Sequence, residues 1–260
     1  MRDNITASAN DHIPWLERRG EAFPFFCDQP VALSGGQWLC LLIAVAVGFG
    51  CLTAPLPVLT SGWGLTARAL LFPGIPLLAL RLVAGPYWTS LFRRLHLRDL
   101  GLMLGFAVLN LIVSGVVGLL VMQVFGANAN DAFDVLADQD TQGKALFFLR
   151  TLPQLFGEEL LTIVPFLAVL HFAHSRFGLS RTHSVLLAWL LCSVLFGLLH
   201  LPSYHWNLLQ CLLVIGTARL VLSLAYLRTK NIWVSTGAHV INDWVIFAVV
   251  LAGASQGILT

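Results

Sequence analysis

The sequence predicts an all-α protein, a polytopic transmembrane helical bundle of about seven spans, and three observations carry that reading. Of 260 residues, 57% are hydrophobic and 11% are charged, with a mean hydropathy of +0.81, whereas a soluble domain carries about 25% charged residues. Seven stretches reach the roughly 20 apolar residues that a hydrocarbon core demands. The basic residues also segregate by connection, as the positive-inside rule requires of a spanning chain.

The spans are expected near residues 37–59, 65–84, 101–126, 146–173, 184–201, 206–227 and 231–252. Residues 1–36 precede them as a cytoplasmic amphipathic tail, too polar and too broken by Pro14, Pro24 and Pro30 for a cleavable signal peptide. Its Trp15, Leu16, Phe23, Phe25 and Phe26 would rest in the headgroup layer. Residues 37–260 then form the transmembrane domain. Arg2, Arg18 and Arg19 precede the first span, Arg93, Arg94 and Arg98 follow the second, Arg176 and Arg181 the fourth, and Arg228 and Lys230 the sixth, all on one side. Lys144 stands alone on the other side, while Arg68, Arg81, Arg150 and Arg219 fall within or at the ends of spans. This bias puts the N-terminus in the cytoplasm and the C-terminus outside.

The one long connection, near 127–145, is acidic, with Asp131, Asp134, Asp138 and Asp140. Its Asp138-x-Asp140-x-x-Gly143 opens like a calcium loop, but Gln142 and Leu149 break the ligand pattern, so a solvated outer loop is expected. Gly101, Gly105, Gly115 and Gly118 of the third span are expected to be helix-packing contacts. Cys27, Cys40, Cys51, Cys192 and Cys211 are odd in number and show no CxxC, so they are expected to be small core residues. A net charge of +2 leaves no surplus for gripping nucleic acid. The lipid bilayer is the partner that composition names.

Ionisable groups at bilayer depth cost roughly 2.5–3.5 kcal/mol each, so each asks for a partner or a task. In the fourth span Glu158 and Glu159 are adjacent and about 100° apart on a helix, so one can do chemistry while the other is tied down. The fifth span ends in Phe196-Gly-Leu-Leu-His200, with a phenyl ring one turn before an imidazole. In the seventh, His239 and Asp243 share a face at i and i+4, with Asn242 beside them, and the sixth carries Arg219. Taken singly, each has a structural alternative: His200 as an interhelical hydrogen-bonder, the glutamates as ion-pair partners of Arg150 or Arg219, His239 with Asp243 as a local surface pair. His12, His96, His171, His174, His183 and His205 lie in loops or at span ends and receive no role. Taken together, a carboxylate, two imidazoles and a further carboxyl or amide from three spans supply a base for water and donors for the resulting oxyanion. An intramembrane hydrolase is the leading chemical reading. Glu with two His is also a catalytic zinc set, but no HExxH is present, so no cofactor is expected and zinc is the lesser alternative.

These motifs resemble those of the CAAX-processing and bacteriocin-processing (CPBP, ABI) intramembrane proteases, related to the eukaryotic Ras-converting CAAX endopeptidase. The family's EExxxR, FxxxH and HxxxN or HxxxD correspond to Glu158-Glu159-Leu-Leu-Thr-Ile163, Phe196-Gly-Leu-Leu-His200 and His239-Val-Ile-Asn242-Asp243, and Leu224 to Trp233 resembles the family's run into its last catalytic helix. The resemblance covers roughly residues 146–247. It implies Glu158 as general base on water, assisted by His200, with His239 and Asp243 at the oxyanion and Glu159 as the structural glutamate. It further implies a membrane-embedded or lipid-anchored peptide or protein substrate and a bacterial inner membrane location. The chain departs from the motif at Ile163, where the family has arginine; an orphaned Glu159 needs another cation, and Arg219 is the expected one. An ionised Asp243 would repel an oxyanion, so its expected role is to orient His239.

Two other readings stand beside this one. A non-catalytic membrane scaffold or immunity-type relative, acting by partner binding, is favoured by Ile163. An ion-coupled transporter using Glu158 or Asp243 as a proton site is disfavoured by the lack of an internal repeat. One conflict is internal: counting helical rise from the expected span ends puts His239 about 12 Å from the cytoplasmic edge and His200 near the opposite edge.

Overall fold

The computed structural model describes residues 12–18, 20–55, 57–60 and 62–255. Arg2 and Arg19 of the basic set, the start of the tail and residues 256–260 lie outside them. The helices among the described residues are, in order, α1 (Gly35–Thr53), α2 (Trp63–Ala84), α3 (Leu97–Phe125), α4 (Asp131–Ala137), α5 (Thr141–Ser175), α6 (Arg181–Leu199), α7 (Leu208–Thr229) and α8 (Ile232–Ser255). All but α4 are long and apolar enough to cross a membrane, and there is no strand among the described residues. The chain is an all-α, multi-pass membrane protein.

Local chemistry sets the helix ends. α1 stops short of residue 59 because Ala54 precedes Pro55 and is driven to an extended conformation, φ −61° and ψ 142°. Arg68 of α2 reaches the carbonyls this leaves over, donating to those of Cys51 at 3.1 Å, of Leu52, and of Ala54 at 2.8 Å. The connection expected to be a loop contains α4. Asn130 Oδ1 accepts from the Ala132 amide at 2.9 Å and Asp140 Oδ1 from that of Gly143 at 2.7 Å, so Asp140 is a helix cap rather than part of a calcium loop.

α5 is the axis of the bundle. Its 35 residues span about 52 Å, and 78% of its most apolar window is buried, against 17–44% in the other spans. It packs against α1, α2, α6 and α8. At Gly157 the ring of Phe72 on α2 comes so close that a Cβ would lie 2.5 Å from it; α2 therefore presses directly on the turn that carries the two glutamates.

Gly101 and Gly105 have nothing within 4 Å of a Cβ position, because α3 packs on α7 and α8 through another face; Gly115 lines the cavity described below, and Gly118 meets Val214 Cγ1 of α7 at 3.7 Å. The close approaches fall instead at Gly157, at Gly197 against the Cys211 carbonyl, and at Gly237 against Met103. The cysteines form no disulfide, but only Cys192 and Cys211 are buried, while Cys40 faces outward on the peripheral α1.

Among the described residues of the tail, the phenylalanines expected in the headgroup layer are folded into the bundle. Phe23, Phe25 and Phe26 are buried in the main core, Leu16 packs against it, and only Trp15 remains fully exposed. Glu17 holds this segment in place: Arg181 Nη1 and Nη2 donate to its two oxygens at 2.8 and 2.6 Å, and Lys230 Nζ lies 2.7 Å from Oε2 and 4.0 Å from the Phe23 ring centroid. Burial alone would raise the Glu17 pKa, but the bonds from Arg181 and Lys230 outweigh it and hold the carboxyl down to about 2. Burial likewise pulls Lys230 down to about 8 against the opposing charge of Glu17.

Glu17→Gln strands two buried cations and is expected to cost about 3–5 kcal/mol at neutral pH, read as a lowered midpoint of thermal unfolding in detergent. Because the folded pKa lies below the ordinary value of 4.5, this contribution is complete above about pH 4.5 and is lost as pH falls toward about 2. The gap between wild type and variant should close over that window.

Candidate active site

Six helices, α3 to α8, contribute to a cavity of about 340 Å³, and Glu158, His200, His239, Asp243, Phe196, Asn242 and Arg219 all line it. Glu158 and Glu159 come from α5, Phe196 and His200 from the end of α6, Arg219 from α7, and His239, Asn242 and Asp243 from α8. The conflict over depth resolves because the cavity runs along α8 from His239 to Phe247, about two turns, to Tyr204 in the connection after α6. His200 folds back at the C-cap of α6 and its Nδ1–H donates to the Phe196 carbonyl at 2.8 Å.

The two adjacent carboxyls diverge, as their helical phase requires. Glu159 points into the protein and is 1% exposed. Its Oε1 accepts from Arg219 Nη2 at 2.6 Å and from His239 Nδ1 at 2.9 Å. Arg150, the other cation considered for it, is engaged elsewhere, donating to Thr66 Oγ1 and the Gly62 carbonyl. A π-helical turn, Cys211–Ile215, precedes Arg219 in α7 and abuts Gly197 of α6. An extra residue in a turn rotates the remainder of the helix by about 100°, and Arg219, one turn later, faces α5.

Glu158 faces the cavity. Gln154 Nε2 donates to its Oε1 at 3.3 Å, and its Oε2 lies 3.8 Å from His239 Nε2. Asp243 Oδ2 lies 3.7 Å from that same nitrogen. Both separations exceed a direct hydrogen bond. A carbonyl and a carboxylate can only accept, which assigns the proton on both rings to Nδ1 and turns each Nε2 away from those anchors. The ring of Phe196 is the spacer of the site: its centroid lies 4.4 Å from that of His200, 6.4 Å from that of His239, and 4.8 Å from the Arg219 guanidinium carbon.

Three participants carried no role in the sequence reading. Asn110 of α3, fully buried, donates to Asn242 Oδ1 at 2.9 Å, and Asn242 Nδ2 donates in turn to Asp243 Oδ1 at 2.9 Å. A lone amide inside an apolar span was the available signal. Gln154 is one turn before Glu158 and could have been read from i, i+4 spacing. Tyr204, beyond the end of α6, had no signal; burial, opposed by a hydrogen bond with Asn130, pushes its hydroxyl up to about 12, so it lines the cavity as a neutral donor. Among the described residues, no three His, Cys, Asp or Glu side chains gather closely enough to hold a metal ion.

Residues 142–245, from the first turn of α5 to the middle of α8, match the family model described as type II CAAX prenyl endopeptidase Rce1-like. Over this stretch the chain is similar to the type II CAAX prenyl endopeptidases. The matched residues contain all three motifs, Arg219 included, whereas Asn110 and α1–α4 lie outside them. No curated protein and no solved structure matches the chain. Ile163, where the family motif has arginine, is 2% exposed in an apolar setting, while Arg219 supplies a guanidinium to Glu159.

Arg219→Leu leaves Glu159 buried without its guanidinium, with His239 still bonded to Oε1, and is expected to lower stability by about 3–5 kcal/mol. Adding Glu159→Leu removes the stranded charge and should recover a large part of that loss. Thermal unfolding of the two single variants and the double variant in one detergent measures the coupling.

Proposed function

We propose that the protein is an intramembrane endopeptidase that hydrolyses a peptide bond in a membrane-embedded or lipid-anchored protein or peptide. The observation that carries this reading is the convergence of Glu158, His200, His239 and Asp243, from three spans far apart in sequence, on one cavity. Glu158 takes a proton from water, assisted by His200 Nε2, and the water oxygen attacks the scissile carbonyl. His239, held at Nδ1 by Glu159 and flanked at Nε2 by Asp243, meets the oxyanion as a doubly protonated donor; Asp243 orients it and Asn242 fixes Asp243. Glu158 then returns the proton to the leaving amine. Leu111, Val214, Ile215 and Ile246 give the same cavity an apolar wall, which suits a substrate that arrives from the bilayer.

The reaction so drawn uses the Glu158 carboxylate as its base and no metal or other cofactor; metal analysis of purified, active protein tests this. Asn130, Phe133 and Tyr204 line the cavity's end on the side of α4, the side with fewer basic connections. The proposed orientation therefore has a cytoplasmic N-terminus, an outer C-terminus and a site whose lining reaches the outer face of a bacterial inner membrane. The scaffold or immunity-type reading draws on Ile163, and the Arg219–Glu159 pair removes its main support.

Glu158→Gln keeps the shape of the side chain and removes the base. Cleavage of a membrane-anchored substrate in cells, compared with wild type at matched protein levels, is expected to fall by at least about 10²-fold while the variant inserts and unfolds like wild type. Unchanged processing would transfer the reading to the scaffold.

A further inference from the structure

At the opposite end of the bundle, where the α2–α3, α5–α6 and α7–α8 connections lie, a second cavity of about 160 Å³ is lined by Arg18, Arg93, Arg94 and Arg98, with Glu21 and Asp99 among them. The two carboxylates are already engaged. Asp99 accepts from Arg18 Nη2 at 3.0 Å and from the His96 amide at 2.9 Å, and Glu21 lies 3.6 Å from Arg93 and 3.9 Å from Arg18. Arg94 and Arg98 are exposed and form no ion pair among the described residues. Two guanidinium groups without an ion pair thus line a pocket in which four arginines face two carboxylates, a surplus of positive charge that favours an oxyanion.

The surroundings indicate where that oxyanion comes from. Leu95 and Leu97, next to Arg94 and Arg98, are 48% and 87% exposed, which places the cavity at the boundary between water and hydrocarbon. On α3, Arg98, Gly101 and Gly105 succeed one another at i, i+3 and i+7 on one face, and nothing lies within 4 Å of a Cβ at either glycine. Leu97, Leu100 and Leu104 stand exposed beside them. A shallow apolar track thus runs from the guanidinium cluster down into the bilayer. It accounts for small residues that pack against no helix.

We propose that this cavity binds the headgroup phosphate of an anionic phospholipid, with an acyl chain lying along the Gly101–Gly105 face of α3. Basic pockets at the cytoplasmic ends of spans hold such headgroups through charge, and the track explains why a lipid is favoured over free phosphate.

The test measures thermal unfolding of the full chain in neutral detergent during titration with phosphatidylglycerol, with phosphatidylcholine of the same acyl chains, or with inorganic phosphate. Phosphatidylglycerol is expected to give a saturable stabilisation that the other two do not. Arg94→Gln with Arg98→Gln should weaken the apparent affinity about 30-fold, the loss of two surface cations at about 1 kcal/mol each, whereas Arg176→Gln, on the same side but outside the cavity, should leave it unchanged. Equal stabilisation by phosphatidylcholine, the same shift from inorganic phosphate, or full retention by the double variant would each overturn the proposal. Native mass spectrometry of wild type from mixed micelles gives an independent readout: preferential retention of phosphatidylglycerol is expected, and equal retention of both lipids contradicts it.

Discussion

The candidate site depends on one buried oxygen. Glu159 Oε1 accepts from both Arg219 and His239, and in doing so joins α5, α7 and α8 at the depth where a stray charge is least tolerated. Each of the three groups would be costly alone. Together they offset one another's charge, and the arrangement leaves His239 with a fixed ring plane and one nitrogen turned toward Glu158 and Asp243. Glu159, turned away from the cavity, thereby sets the geometry of the side chains that face it.

Around that point the packing leaves little freedom. Phe72 lies against Gly157 where no side chain fits, Gly197 abuts the π-helical turn of α7, and Phe196 separates His200, His239 and Arg219 with a single ring. The adjacent Glu158 is left facing the cavity because it cannot share its neighbour's direction. On the far side of the bundle a second buried anion, Glu17, performs an analogous task, drawing Arg181 and Lys230 together and folding the N-terminal segment into the core.

Much of this was legible in the sequence, because the bilayer enforces it. Span number and order came from apolar length, and the motif residues announced themselves as polar groups that lipid does not tolerate without a reason. The pairing of Arg219 with Glu159 was legible for the same reason: two unexplained charges in separate spans solve each other. The rest was hidden because it depends on contacts between distant segments. The aromatic residues of the tail read as interfacial because Glu17 gave no sign of its two cations. The glycines of α3 read as packing residues because sequence does not say which face of a helix meets lipid. His200 looked misplaced in depth because counting rise along spans ignores a side chain bonded back to the preceding turn and a cavity two turns long. Asn110 and Tyr204 come from segments with no motif at all.

The central claim is that Glu159 fixes the proton of His239 on Nδ1, as the Phe196 carbonyl does for His200. Nitrogen-15 spectra of the imidazole side chains in histidine-labelled protein report this directly. The account predicts that both rings carry a proton on Nδ1 at every pH where the protein is folded. A neutral His239 protonated on Nε2 and bare at Nδ1 would contradict it.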